Sequence, residues 1–387
     1  MAHRTSPSAA PLQIPSLDGI RAASVLLVFG SHVLYWLPIP GRFGVTVFFF
    51  LSGYLITTLL RIERAREGTI SFKDFYVRRA LRIIPPFALI FLATVLLVKV
   101  GLFRGTVDRR ALVAGFGYYA NYAMISGIEM PPGTGVIWSL SIEEHFYLAF
   151  PVIYFLLTRW VQNGVRLAAL LWGICACVLA WRLALVFHWN VPLERTLLAT
   201  DTRIDGILFG CALAVWGNPI LDGPGRFSER AWKWLLFPAA IVILLASFVV
   251  SSHAIRESVR YTIQGLALVP VFVTAIRFPR WGPMRPLNWR PVAFLGTLSY
   301  SFYLLHDVVY EQVMARISLP PARVALTLAM SVALSWAMYR LVERPLARLR
   351  ARLLGAYSVR ATQPDFAPAA PRMAPSPVVS GPRGGWT

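Results

Sequence analysis

The chain has 387 residues, of which 57% are hydrophobic and only 14% charged, whereas soluble domains carry about 25% charged residues; lipid is the expected solvent. The formal charge of +20 falls between the apolar runs, where the positive-inside rule accounts for it, and no aromatic–basic alternation points to nucleic acid. Cys175, Cys177 and Cys211 all lie in apolar stretches and read as small buried hydrophobes, not as a metal set.

Residues 1–15 are polar and proline-containing, without the features of a secretory signal, and read as a cytoplasmic segment ahead of a first span that itself directs insertion. A spanning helix needs about 18 or more residues with few charges. That criterion places about ten spans, near 17–37, 43–62, 83–103, 137–158, 167–187, 198–216, 234–251, 259–277, 291–313 and 322–341. The expected fold is an all-α polytopic membrane protein, one transmembrane domain over 16–350. Residues 351–387, rich in Pro and Ala and basic, read as a disordered cytoplasmic tail.

Arginine and lysine orient the bundle. With the N-terminus inside, the basic segments 61–82, 226–233, 277–290 and 344–352 all fall inside, which requires an even number of spans. Both termini are then cytoplasmic, in the inner (cytoplasmic) membrane. Residues 111–136 are apolar but rich in Gly, Tyr and Asn. As a span they would invert everything after them, so they read as a re-entrant or interfacial segment on the outer side. No internal repeat of the kind that builds paired-half transporters is visible.

An ionisable side chain within a span costs at least about 2.5 kcal/mol on insertion scales, so each is a functional candidate. Arg21 and His32 are eleven residues apart, on one helix face and about 16 Å apart along the axis. Snorkelling at a helix end competes as a reading of Arg21, and a packed, hydrogen-bonded histidine as a reading of His32. The run 138–147 holds Glu143, Glu144 and His145; adjacent carboxylates point about 100° apart, so at most one of the pair faces a given partner directly. A structural salt bridge competes as its reading. His306 competes with a plain helix–helix hydrogen bond. Arg203 and Asp205 read as a structural ion pair within one helix. His32, Glu143 and His306 all fall roughly 6–8 Å outward of their span centres, which suggests one polar site. On the inner side, Arg78, Arg79 and Arg82 cluster where the third span begins. Guanidinium groups there suit phosphate, with plain positive-inside topology as the competing reading.

These residues stand in a recurring order. Leu17-Asp18-Gly19-Ile20-Arg21-Ala22 is followed by His32, then by Gly44-Val45-Thr46-Val47-Phe48-Phe49-Phe50-Leu51-Ser52-Gly53-Tyr54. Next come Arg78, Arg79, Arg82 and Pro85, then Trp138-Ser139-Leu140 with Glu143, Phe146 and Tyr147, then Tyr300 with His306, and finally Val342-Glu343-Arg344-Pro345. Over nearly all of residues 15–350 the chain resembles the acyltransferase-3 family of bacterial membrane O-acyltransferases. The resemblance implies transfer of an acyl group, often acetyl, from cytoplasmic acyl-CoA to a hydroxyl of a sugar, glycan, glycolipid or related metabolite. It implies His32 as catalytic base, Arg21 in support, Glu143 as the motif carboxylate, and Arg78, Arg79 and Arg82 as the site for CoA phosphates. Acyl-CoA is a donor substrate, with no permanently bound cofactor and no metal; membrane lipid is the other expected partner. Three departures stand out: His145 where the family often has Gln, no Trp beside His306, and a tail too short for a fused extracytoplasmic hydrolase-like domain.

The chemistry suits the residues. Acyl transfer from a thioester to an alcohol needs a base for the hydroxyl proton, and an imidazole, titrating near about 6.5, can serve. It needs donors for the oxyanion, for which Tyr54, Tyr147 and Tyr300 are candidates. It needs cations for the donor's phosphates. Roughly 20 Å of bilayer separates the arginines from His32, a span an extended pantetheine arm could cross. A covalent acyl-His32 relay is the variant. No His-Glu-x-x-His, Gly-x-Ser-x-Gly or Gly-x-x-x-x-Gly-Lys pattern offers another chemistry. The competing class is a multi-span transporter or flippase of a sugar or lipid.

Overall fold

The computed structural model describes residues 14–223, 225–250 and 252–354. The predicted N-terminal segment, apart from residues 14 and 15, and the predicted tail from residue 355 onward lie outside the described residues. Every predicted span coincides with a helix. In chain order these are α1 (Leu17–Val33), α2 (Gly41–Glu67), α3 (Phe72–Lys99), α4 (Arg109–Phe116), α5 (Ala120–Ile125), α6 (Ile137–Trp160), α7 (Gly164–Phe187), α8 (Leu193–Leu198) and α9 (Thr200–Val215). Then α10 (Glu229–Ala231) passes through a π turn into α11 (Phe237–Val249), followed by α12 (His253–Glu257), α13 (Val259–Arg277) and α14 (Arg290–Met314). Finally α15 (Pro320–Met338) passes through a second π turn, Tyr339–Glu343, into α16 (Arg344–Leu354). Among the described residues there is no strand. The protein is an all-α multi-pass membrane protein.

Among the described residues eight helices are long and apolar enough to cross a membrane, against about ten expected. The two that fall short are α1, with 17 residues, and α9, with 16. Both are central. Thirteen of the sixteen α9 residues are buried, among them Arg203 and Asp205. A helix wrapped in other helices meets little lipid and needs less apolar length. The outer helices show the reverse pattern, with Leu92, Leu148 and Val249 all exposed, as lipid-facing side chains should be.

Three sequence expectations need correction. Cys177 is exposed on α7, while Cys175 and Cys211 are buried. Segment 111–136, by contrast, forms no span, as expected; it holds most of α4 and all of α5, and Asn121 ties it to the α8–α9 junction through Leu198 O (3.1 Å) and Thr200 Oγ1 (3.2 Å). Helix α3 begins at Phe72, so Arg78, Arg79 and Arg82 sit within a continuous helix, capped by Ser71.

The Arg203–Asp205 pair does not form either. Residues two apart on a helix do not face each other. Asp205 instead accepts two bonds from Arg182 of α7, at 2.8 and 2.7 Å, and both side chains are essentially fully buried. Arg182 also donates to Thr202 O, Ser258 O and Thr262 Oγ1, joining α7, α9 and α13. Arg203 lies 3.7 Å from the Tyr261 ring centroid and donates to Thr46 Oγ1.

Lipid gives helices no hydrophobic reason to associate, so small residues that permit backbone contact do that work. A Cβ on Gly53 would lie 1.9 Å from Ile207 O, and one on Gly210 2.0 Å from Phe50 O, which seats α2 against α9. A Cβ on Gly296 would lie 1.8 Å from Asp18 O, which seats α14 against α1.

Replacing Gly296 by Val is therefore expected to lower unfolding stability in detergent by about 3 kcal/mol or more, while Gly173→Ala on α7, with open space around it, leaves the midpoint nearly unchanged. Asp205→Ala, which leaves Arg182 buried without its counter-ion, is expected to cost about 3–5 kcal/mol, and the Arg182→Met/Asp205→Leu double variant to recover most of it. Thermal unfolding of the four proteins checks both; equal midpoints would refute them.

Candidate active site

Helices α1 and α14 bring two histidines together, His32 partly exposed and His306 buried. His32 Nδ1 lies 3.0 Å from His306 Nε2 and 3.5 Å from Asp307 Oδ1. His306 is fully buried, and its Nδ1 lies 2.7 Å from Tyr303 O and 3.2 Å from Phe302 O. Carbonyl oxygens only accept, so His306 Nδ1 carries the proton and donates. In the neutral ring Nε2 then holds a lone pair, and the short contact requires His32 Nδ1–H to donate to it. The remaining nitrogen of His32, Nε2, is left with its lone pair free. The tautomer of one histidine thus fixes that of the other.

His32 borders a cavity of about 440 Å³, together with Trp138, Tyr303, Arg42, Arg256 and Arg260, a size within the usual range of small-molecule sites. A second, smaller cavity of about 100 Å³ is lined by Arg21, Arg79, Arg82, Glu143, Tyr147 and Tyr300, among others. Val45 and Tyr303 line both cavities, so the two share a wall.

In the smaller cavity Ser52 Oγ donates to Glu143 Oε1 at 2.6 Å, and Tyr147 OH donates to Ser52 Oγ at 3.0 Å. The Arg79 guanidinium lies 4.7 Å from the Tyr147 ring centroid, a cation–π distance. Arg21 donates to Asp18 Oδ1 at 2.5 Å. Three guanidiniums and a single lining carboxylate make this an anion-binding environment.

Of the predicted arginines, Arg79 and Arg82 reach this cavity, whereas Arg78 is paired with Glu63 at 3.3 Å. Glu143 lines the cavity of Arg21 and not that of His32, so of the three residues expected at one depth the two histidines meet and Glu143 lies in the neighbouring cavity. The tyrosines are engaged elsewhere: Tyr300 OH donates to Ile83 O at 2.8 Å, Tyr147 to Ser52, and Tyr54, fully buried and outside both cavities, to Asn218 Oδ1 at 3.1 Å. His145 contacts Thr200 Oγ1 at 2.8 Å, and Glu144 Oε1 is buried without a hydrogen bond.

Sequence reasoning singled out none of Ser52, Tyr303 and Asp307. Ser52 adjoins the Gly53 that seats α2, Asp307 adjoins His306, and Tyr303 lies one helical turn before His306. Their neighbours were the signal, but helix facing alone decides which of them points inward. Among the described residues no three His, Cys, Asp or Glu side chains gather as a metal set.

Known proteins resemble the chain over most of its length. The chain is 29% identical over 313 residues to the peptidoglycan O-acetyltransferase OatA of Listeria monocytogenes, covering 76% of this chain and 49% of that protein. It is 29% identical over 356 residues to the putative peptidoglycan O-acetyltransferase YrhL of Bacillus subtilis (86% and 55%), and 28% identical over 352 residues to a putative O-acetyltransferase of Staphylococcus aureus strain COL (86% and 57%). The chain thus spans about half the length of these relatives. No solved structure matches. Residues 14–340 match the family described as an acyltransferase domain, and the chain belongs to that acyltransferase family.

Proposed function

We propose that the protein is a membrane O-acyltransferase that moves an acyl group, acetyl first among candidates, from cytoplasmic acyl-CoA to a hydroxyl of a glycan or glycolipid. The observation that carries this reading is the His32–His306 pair, which leaves His32 Nε2 basic beside a cavity of ligand size. The names of the relatives support a glycan acceptor.

In the reaction the acceptor O–H gives its proton to His32 Nε2 as its oxygen attacks the thioester carbonyl. The new C–O bond forms, the C–S bond breaks, and the CoA thiolate leaves and takes up the proton from the imidazolium. His306 is a positioning residue, because it touches His32 and not the reacting atoms; Asp307 stabilises the transient positive charge. Arg79 and Arg82, with Arg21, hold donor phosphates on the cytoplasmic side. The protein is placed in the cytoplasmic membrane with both ends of the chain inside.

Transfer from radiolabelled acetyl-CoA, in membranes with matched expression, tests this. His32→Ala is expected to lower transfer by about 10²–10⁴-fold while acetyl-CoA still binds. His306→Gln, whose amide oxygen can accept from His32 Nδ1, is expected to keep much more activity than His306→Leu; equal losses would reduce His306 to packing. Arg79→Gln and Arg82→Gln are expected to raise the KM for acetyl-CoA about tenfold each, with a smaller effect on kcat. A wild-type protein that neither binds nor consumes any acyl-CoA would sink the reading and favour a transporter or flippase of a sugar or lipid.

A further inference from the structure

Among the described residues the larger cavity is lined by three guanidiniums and no carboxylate. Arg42 opens α2, Arg256 lies on α12 and Arg260 begins α13. The Nε atoms of Arg256 and Arg260 are buried and have no hydrogen-bond partner. Glu257, buried beneath, bonds Arg42 at 3.2 Å and accepts from Tyr261 OH at 3.0 Å. Behind the Tyr261 ring stands Arg203, beside the Arg182–Asp205 pair. Five guanidiniums here face two carboxylates.

Topology does not explain this excess. With the N-terminus inside, α1 runs outward, so the start of α2 and the α11–α13 junction lie at the outer end of the bundle. The positive-inside rule thins out basic residues there. Buried guanidinium donors without acceptors are costly unless a ligand supplies the acceptors.

We infer that the acceptor hydroxyl that reaches His32 belongs to an anionic glycan, whose carboxylate or phosphate is held by Arg256 and Arg260. This rests on the acyltransferase reading of the same site. The arginines set specificity: they hold an acidic group on the side of the cavity away from the attacking hydroxyl, and a neutral sugar leaves their buried donors unpaired. The fold fixes their position. Ser258, which separates Arg256 from Arg260 at the α12–α13 break, accepts from Arg182 Nε at 3.0 Å, and Arg260 Nη2 donates to Val250 O at 3.2 Å.

The test measures binding without any donor, so that it does not depend on catalysis. Purified protein in phosphatidylcholine nanodiscs is titrated with methyl glucoside, methyl glucuronide and glucose 1-phosphate at millimolar concentration. The two anionic sugars are expected to bind at least about tenfold tighter than the neutral one. That preference should disappear in Arg256→Gln/Arg260→Gln and persist in Arg256→Lys/Arg260→Lys, which separates lost charge from lost fold. Equal affinities, no binding of either anionic sugar, or a preference that survives the glutamine variant would overturn the inference. So would loss of the preference in nanodiscs containing phosphatidylglycerol, which would make a lipid headgroup the occupant. Binding and consumption of acyl-CoA donors, acetyl-CoA first, are followed on the same preparation: anion preference with no donor bound or consumed would refute the acyltransferase reading while leaving an anion-binding cavity in place.

Discussion

The contact of α1 with α14 is the constraint on which the rest of the site depends. Gly296 on α14 lies so near Asp18 O that no side chain fits, and Gly19 on α1 lies as near Leu287 O. Backbone contact at the end that carries Arg21 sets the angle at which the helices diverge, and so the separation at the far end, where His32 and His306 meet at 3.0 Å. A hydrogen bond of this length tolerates shifts of only a few tenths of an ångström. Because α14 also supplies Tyr300 and Tyr303, it forms part of the wall of both cavities.

A second constraint is the handling of charge inside the bundle. Arg182 is satisfied by two carboxylate bonds and three further acceptors, the arrangement that makes a buried ion pair tolerable. It fixes the α12–α13 junction against α7 and α9. The wall of the larger cavity differs: Arg256 Nε and Arg260 Nε are buried without partners. A polytopic protein that satisfies one guanidinium five times over and leaves others partly unsatisfied separates framework from binding surface. Bundle interiors show this contrast where polar groups are held for a ligand.

Much of this was legible in the sequence. Apolar run length located the ten longest helices of the bundle, and the eleven-residue spacing of Arg21 and His32 put both on one face. The meeting of His32 with His306 was legible only as a shared depth, since depth follows from rise per residue but azimuth follows from packing. That is why Glu143, at the same expected depth, turned out to join Arg21 and Ser52. Arg182 escaped notice because a single arginine in an apolar run does not show which helix holds its carboxylate. The Arg203–Asp205 pairing failed for the opposite reason, since proximity in sequence was mistaken for proximity on a helix face. The cluster of Arg42, Arg256 and Arg260 comes from segments more than two hundred residues apart, and no local pattern marks it.

The two cavities bear on how a thioester held on one side could meet an alcohol held on the other. Each is lined by arginines and the wall between them includes Val45 and Tyr303. Tyr303 OH is held by Ser139 Oγ at 2.7 Å and Val136 O at 3.1 Å, both from the start of α6. Its ring is therefore anchored at the phenol end, beside the His306 ring at 5.9 Å between centroids. On the proposed reading, CoA phosphates occupy the smaller cavity and the acceptor the larger, and the acyl carbon must reach His32 past this ring. Separate anion-binding sites at the two ends would draw the two substrates toward the same base from opposite sides, so that proximity at His32 is set by where each substrate's charge is held.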